Sequence, residues 1–254
     1  MGLSIGIVGS GNLATHLSKR FIECGIPIAF IQSRNVKTGK ALAKACRSIF
    51  VKELPETSTN NQILFICSSD SSIEDIFLAN LAKEYSLVHN SGMIPLLHDK
   101  KNKTKSAVFY PVQTFSKKEE VDWKAIPICI ESNDKKLEQT LLKLARKIAG
   151  SALILDSKQR AYLHLAAVFA NNFVNANYAI ATNILASQKL PANLIAALIQ
   201  QTAKNALNNS PQEIQTGPAK RKDLKTIQAH LQLLKKNPKE KKVYDAITEY
   251  LLKK

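Results

Sequence analysis

The chain has 254 residues, enough for two domains that each bury a core, and its 45% hydrophobic content excludes a disordered polymer. No apolar run is long enough to cross a bilayer. Four cysteines without CxxC spacing or a paired histidine argue against a zinc site or a disulfide framework, and reduced buried thiols in a cytoplasmic protein are expected. A formal charge of +16 raises nucleic acid as a partner, but no arginine-rich block carries interleaved aromatics, so nucleic acid is not expected. A solvated, lysine-biased surface is the plainest account of the excess, and a field that attracts an anionic cofactor and an anionic substrate also fits.

Met1-Gly2-Leu3-Ser4-Ile5 runs straight into a strand pattern, so no signal peptide is expected. The first strand, Leu3–Val8, meets Gly9-Ser10-Gly11-Asn12-Leu13-Ala14 and then an amphipathic helix to about Cys24. Strand, GxGxxA and helix in this order form a dinucleotide-binding fingerprint. Gly9 permits the tight turn, Gly11 lets a pyrophosphate approach the backbone, and Ala14 lets the helix pack close to the sheet. The phosphates are expected on the helix N-terminus, against Gly9, Ser10, Gly11, Asn12 and Leu13. The second strand, Ile26–Ile31, ends in Gln32-Ser33-Arg34, where NAD-binding domains usually carry an Asp or Glu for the ribose hydroxyls. Ser33 and Arg34 can instead hold a 2′-phosphate, so NADP is expected over NAD.

A helix over 37–46 and a short strand at 48–51 follow. Strands are predicted at 62–67, 86–89 and 107–110, with a helix at 72–83. Ligands in such sheets bind at the carboxyl ends of the strands. Those ends carry Ser68 and Ser69, Asn90 and Ser91, and Gln113, small polar groups suited to orienting a ligand. Two more strands, 126–131 and 152–155, flank a helix at 134–149. Beyond Asp156 the pattern is helical throughout, with a long stretch over 157–187 and shorter helices near 191–207, 224–235 and 241–251. The expected architecture is an α/β Rossmann domain over 1–155, with its motifs in 1–116, followed by an all-α substrate and dimerisation domain over 156–254.

On the long helix, His164, Val168 and Asn172 share one face at i, i+4 and i+8. Their neighbours are apolar nearly all round, so this helix is expected to be buried. Polar groups on a buried helix need partners, either from other helices or across a cleft.

Taken together, GSGNLATHL (9–17), HNSG (89–92), YPVQTF (110–115), HLAAVFANNFVNA (164–176) and TGPAKRKDLKTIQAHLQLL (216–234) resemble the Rossmann-like/DUF2520 family. The resemblance implies a Rossmann domain joined to a helical domain like that of 6-phosphogluconate dehydrogenase, with pyrroline-5-carboxylate reductase, ketopantoate reductase and β-hydroxyacid dehydrogenases in the wider superfamily. The chain departs from it at two places. Tyr110-Pro111 stands where the family often has His-Pro, and Arg221-Lys222-Asp223 where it often has Arg-Gly-Asp. Lysine-dependent relatives carry Lys-x-x-x-Asn on the long helix; aligned on Asn172, the lysine position here is Val168.

The expected reaction is hydride transfer from NADPH to a carbonyl or imine of a small anionic substrate, of the kind ketopantoate reductase performs. His164 is the expected acid, because imidazole serves proton transfer near neutral pH. Asn172, Asn90 and Ser91 would hydrogen-bond the substrate, Gln113 would help orient it, and Lys220 and Arg221 would hold its carboxylate. The protein is expected to be a homodimer through its helical domain. The rival expectations are a non-catalytic NADP-binding sensor or interaction protein, and a basic nucleic-acid binder.

Overall fold

The computed structural model describes residues 3–55, 62–80, 85–99 and 104–253. Its helices and strands are β1 (Ser4–Val8), α1 (Asn12–Glu23), β2 (Ile28–Gln32), α2 (Val36–Ala45), β3 (Ile49–Val51), β4 (Gln62–Ile66) and α3 (Asp70–Ala79), followed by β5 (Ser86–His89), β6 (Ser106–Pro111), β7 (Pro127–Ser132), α4 (Lys135–Ile148) and β8 (Ser151–Ile154). The eight strands form one sheet in the order β3-β2-β1-β4-β5-β6-β7-β8. All pairings are parallel except β6 with β7. The order turns from descending to ascending at β1, so a crevice opens at the carboxyl ends of β1 and β4, where such sheets take their ligands.

The period-2 alternation of each strand divides its side chains between two cores. Ile5, Ile7, Ile63, Phe65 and Val88 face one layer with Leu17 and Phe21 of α1 and Leu141 and Ile148 of α4. Val8, Leu64, Ile66 and Leu87 face the other with Ile73 and Phe77 of α3. Helix starts follow local chemistry. The Asn35 side chain accepts from the Thr38 amide to open α2, and Asp134 accepts from the Leu137 amide to open α4.

The remaining elements are helical: α5 (Ser157–Ala167), α6 (Val174–Ser187), α7 (Ala196–Asn208), α8 (Leu224–Leu233) and α9 (Pro238–Leu252). Asp156 and Gln159 form a reciprocal capping box at the head of α5. The stretch expected as one helix over 157–187 is divided, because Val168–Phe173 winds into wider π-helical turns. The chain falls into two compact units, one ending at Ala170 and one beginning at Asn171. The expected boundary at 155/156 lies one helix earlier than this division, and α5 belongs with the sheet.

The expectation that the long helix is buried is corrected. Arg160 is the buried residue of α5, and α6 has none. Tyr162, Leu165, Phe169 and Phe173 each keep about half or more of their surface exposed. An all-round apolar pattern shows that a helix wants cover, but not whether its own chain supplies it. No helix among the described residues is long and apolar enough to cross a membrane.

Candidate active site

The first half of the site is built where β1, β2 and β4 end. Gly9 takes φ +119°, and a Cβ there would lie 2.3 Å from the Cys67 carbonyl oxygen, so only glycine fits. Its amide donates to the Gln32 carbonyl at 2.8 Å, and the Cys67 amide donates to the Val8 carbonyl at 2.8 Å, which locks the three strand ends together. Gly11 is different. It stands as the N-cap of α1 with no side-chain cap, and a Cβ built on it would meet nothing within 4 Å. The free amides of a helix N-terminus therefore face open space, which is what an anionic diphosphate requires.

That space is part of a cleft of about 630 Å³ lined by Gly9, Ser10, Gly11, Ser33, Arg34, Ser68 and Ser69, among others. Ser33 is buried, and its hydroxyl joins a chain with Ser10 (2.8 Å) and Thr38 (2.7 Å). The exposed Arg34 next to it, at the head of α2, brings a cation to this wall. Ser68 and Ser69 open α3, each within hydrogen-bond distance of the Ser72 hydroxyl, at 2.7 and 2.9 Å. Asn12 turns its amide to the Phe115 carbonyl (2.8 Å), and Leu13 packs partly buried against the core.

The second half lies at the carboxyl ends of β5 and β6. The Asn90 amide donates to the Phe109 carbonyl at 2.6 Å, and its oxygen accepts from the Cys67 thiol at 3.2 Å. Burial pushes that thiol up to about 12, so it stays a donor. The Ser91 hydroxyl accepts from the amides of Met93 and Ile94 (3.0 and 2.9 Å). His89 Nδ1 accepts from the Ser91 amide at 3.3 Å, which puts its proton on Nε2, facing the Pro95 carbonyl at 3.1 Å. Burial drives His89 down to about 4, so it is neutral in this setting.

This loop is held to α5 by Arg160 and Ser157, which also meet Glu131 of β7. Arg160, 1% exposed, bonds to the Glu131 carboxylate and to the Ile94 carbonyl (2.6 Å). The Ser157 hydroxyl donates to Glu131 at 2.8 Å and accepts from the Leu96 amide at 2.9 Å. One turn beyond Arg160, His164 reaches the same edge of the sheet, with Nδ1 3.2 Å from the Tyr110 hydroxyl and the two rings edge to face. Burial raises the Tyr110 phenol, so it remains protonated and can donate to Nδ1.

His164, Asn90, Ser91 and the glycine loop are thus brought to one side of the sheet. Gln113 lies exposed just beyond β6, its oxygen accepting from the Thr114 amide at 2.8 Å. Asn172, Lys220 and Arg221 belong to the second unit. Asn172 stands exposed on the π-helical turns; Lys220 and Arg221 are exposed on the loop before α8, where Gly217 and Lys222 take φ of +105° and +56°. Sequence reasoning missed Tyr110 as a site residue. Its place at the carboxyl end of a buried strand was the available signal.

The family model "NADP oxidoreductase coenzyme F420-dependent" matches residues 4–88, and that of the domain of unknown function DUF2520 matches residues 126–251. Among curated proteins, none matches the chain. A solved Bacteroides fragilis structure, described as a candidate NADP oxidoreductase, is 32% identical over 99% of this chain and 98% of its own, with a TM-score of 0.91. A Thermotoga maritima protein is 25% identical over 97% of each chain, with a TM-score of 0.79. An imine reductase from Myxococcus stipitatus, solved with NADP+, shares the fold at 12% identity over 98% of this chain and 92% of its own, with a TM-score of 0.66. The chain belongs to the NADP oxidoreductases that join a Rossmann domain to a DUF2520 domain, enzymes whose dinucleotide is NADP.

Proposed function

We propose that this oxidoreductase reduces a carbonyl or imine of a small anionic substrate, with the pair His164–Tyr110 delivering the proton. The observation that carries the reading is that pair: an imidazole held at the carboxyl ends of β5 and β6, on the same edge of the sheet as the glycine loop. NADPH supplies the hydride when bound. With both ring nitrogens protonated, Nδ1 donates to the Tyr110 oxygen and Nε2 gives its proton to the substrate oxygen or nitrogen, leaving a neutral ring whose remaining Nδ1 proton is held by Tyr110. Asn90 and Ser91 spend their side chains on the strand ends and the loop, so their part is to hold residues 89–92 in register. Gln113 is assigned an orienting contact; for the second unit, an amide role for Asn172 and a carboxylate-binding role for Lys220 and Arg221 are proposed from the sequence alone. The basic charge of the chain supports an anionic substrate.

NADPH oxidation measured over 2-keto acids, ketopantoate among them, and cyclic imines tests this. His164→Gln and Tyr110→Phe should bind NADPH normally and melt near wild type. His164→Gln should lose roughly 10²-fold or more in turnover. NADPH binding with no turnover on any member of the panel would favour a non-catalytic, sensing role.

A second copy of the chain is the proposed cover for the helical unit. That unit buries Ala219, Ile227 and Leu234 but leaves Leu194, Leu198, Leu207 and Leu233 more than 60% exposed. Apolar surface on this scale marks an interface, and a two-fold pairing offers each copy the same self-complementary surface. Light scattering at micromolar concentration should give a mass near 56 kDa, about twice the 28.1 kDa of one chain.

A further inference from the structure

We propose that Lys117 is a cofactor-binding residue that neutralises the dinucleotide diphosphate, held over the glycine loop by the segment that joins β6 to β7. The proposal rests on the NADP site at Gly9–Gly11 and goes beyond it, because the glycine fingerprint supplies amides and open space but no cation. Nothing in the first turn of α1 is acidic or basic.

Lys117 is 107 positions from Ser10, yet its Nζ donates to the Ser10 carbonyl at 2.9 Å, in the middle of the loop. The placement is enforced by its neighbours. The Asn12 amide donates to the Phe115 carbonyl at 2.8 Å, and His16 Nε2 lies 2.7 Å from the Ser116 carbonyl. The Phe115 ring stands between His16 and Trp123, with centroids 5.5 and 5.6 Å away. Trp123 is buried, so the segment is anchored to the core at one end and to α1 at the other.

An ammonium has three protons to donate. One goes to Ser10, which leaves two for phosphate oxygens brought up against Gly11, where space is open. Because the side chain is already tethered, little rotamer freedom remains to be lost on binding. The ligand class this recognises is a diphosphate-bridged dinucleotide. The 2′-phosphate, on the Arg34 side of the cleft, is read separately.

The test compares two probes by calorimetry on the full chain: NADPH, and adenosine 2′-monophosphate, which carries the 2′-phosphate but no diphosphate. Lys117→Met should weaken NADPH by about tenfold or more, leave adenosine 2′-monophosphate unchanged, and leave the melting temperature unchanged. Lys117→Arg keeps a cation and should stay within about threefold of wild type for NADPH. Unaltered NADPH affinity in Lys117→Met overturns the proposal. So does equal weakening of both probes, which would make the segment a structural brace, and so does an arginine variant as weak as the methionine one. A wild-type protein that bound neither probe would remove the dinucleotide site and this proposal together.

Discussion

Gly92 and His164 are in contact through space that a methyl group would fill: a Cβ at position 92 would lie 2.7 Å from His164 Nδ1 and 2.9 Å from its Cβ. Because the imidazole's own root is as close as its tip, the ring cannot swing clear without moving α5. Gly92→Ala should therefore displace the pair His164–Tyr110 while sparing the cleft at Gly11. Expected are NADPH affinity close to wild type, turnover lowered by roughly tenfold or more, and a stability loss of about 1–3 kcal/mol from overpacking. Turnover and melting temperature both at wild-type values would show that residue 92 does not set the imidazole's position.

The two glycines of the phosphate loop should fail in different ways. Gly9→Val puts a side chain onto the Cys67 carbonyl in a backbone conformation that favours glycine, so the fold itself should suffer. A Cβ at Gly11 meets no protein atom within 4 Å, so Gly11→Val should still fold, with a loss of about 1 kcal/mol for the poorer N-cap, but the valine occupies the space a diphosphate needs. Thermal melts together with NADPH titrations separate the two. A Gly11→Val protein that binds NADPH at full affinity would refute the reading of this loop.

What could be read along the chain was what is local to it. The turn at Gly9, the helix start after Gly11 and the apolar run of β4 need only neighbouring residues, and they lie where the pattern placed them. Tyr110 and His164 are 54 positions apart and Ser10 and Lys117 are 107 apart, so no spacing rule reports either meeting. The position of Ser33 after β2 points to the 2′-phosphate, but no spacing shows that its hydroxyl meets Ser10, whose own hydroxyl also meets Thr38 on α2, a chain that the fold creates. The apolar pattern of 157–187 showed a helix in need of cover but could not name the covering surface, and nothing in Val168–Phe173 announced the wider turns.

The 2′-phosphate reading assigns discrimination to Ser33 and Arg34 at the head of α2, whose first turn has no acidic side chain to oppose it. Arg34→Ala should weaken NADP by about tenfold or more, since a charge-assisted phosphate contact contributes roughly 1.5–3 kcal/mol, and should change NAD little. Parallel titrations with the two dinucleotides decide it. An equal loss for both would mean that Arg34 does not touch the 2′-phosphate.

His89 gives the fold a pH dependence whose direction follows from its burial. It sits at about 4 in the folded protein against 6.5 in an open chain, chiefly through desolvation. Arg160 adds to this lowering, and the Pro95 carbonyl and Asp70 oppose it. Between those values the unfolded chain binds a proton that the folded chain refuses, so stability rises with pH across the window. The contribution is complete above about 6.5, declines as the pH falls, and is spent near 4, amounting to about 3 kcal/mol. Asp134, held below the usual carboxylate range mainly by the Leu137 amide, loses its contribution only at lower pH and does not blur this window. Denaturant unfolding at pH 7.5 and pH 4.5 should show wild type losing a large part of that amount. His89→Gln, which can still donate to the Pro95 carbonyl but does not titrate, should begin less stable and lose much less between the two pH values. Equal losses in the two proteins would place the acid sensitivity on another group.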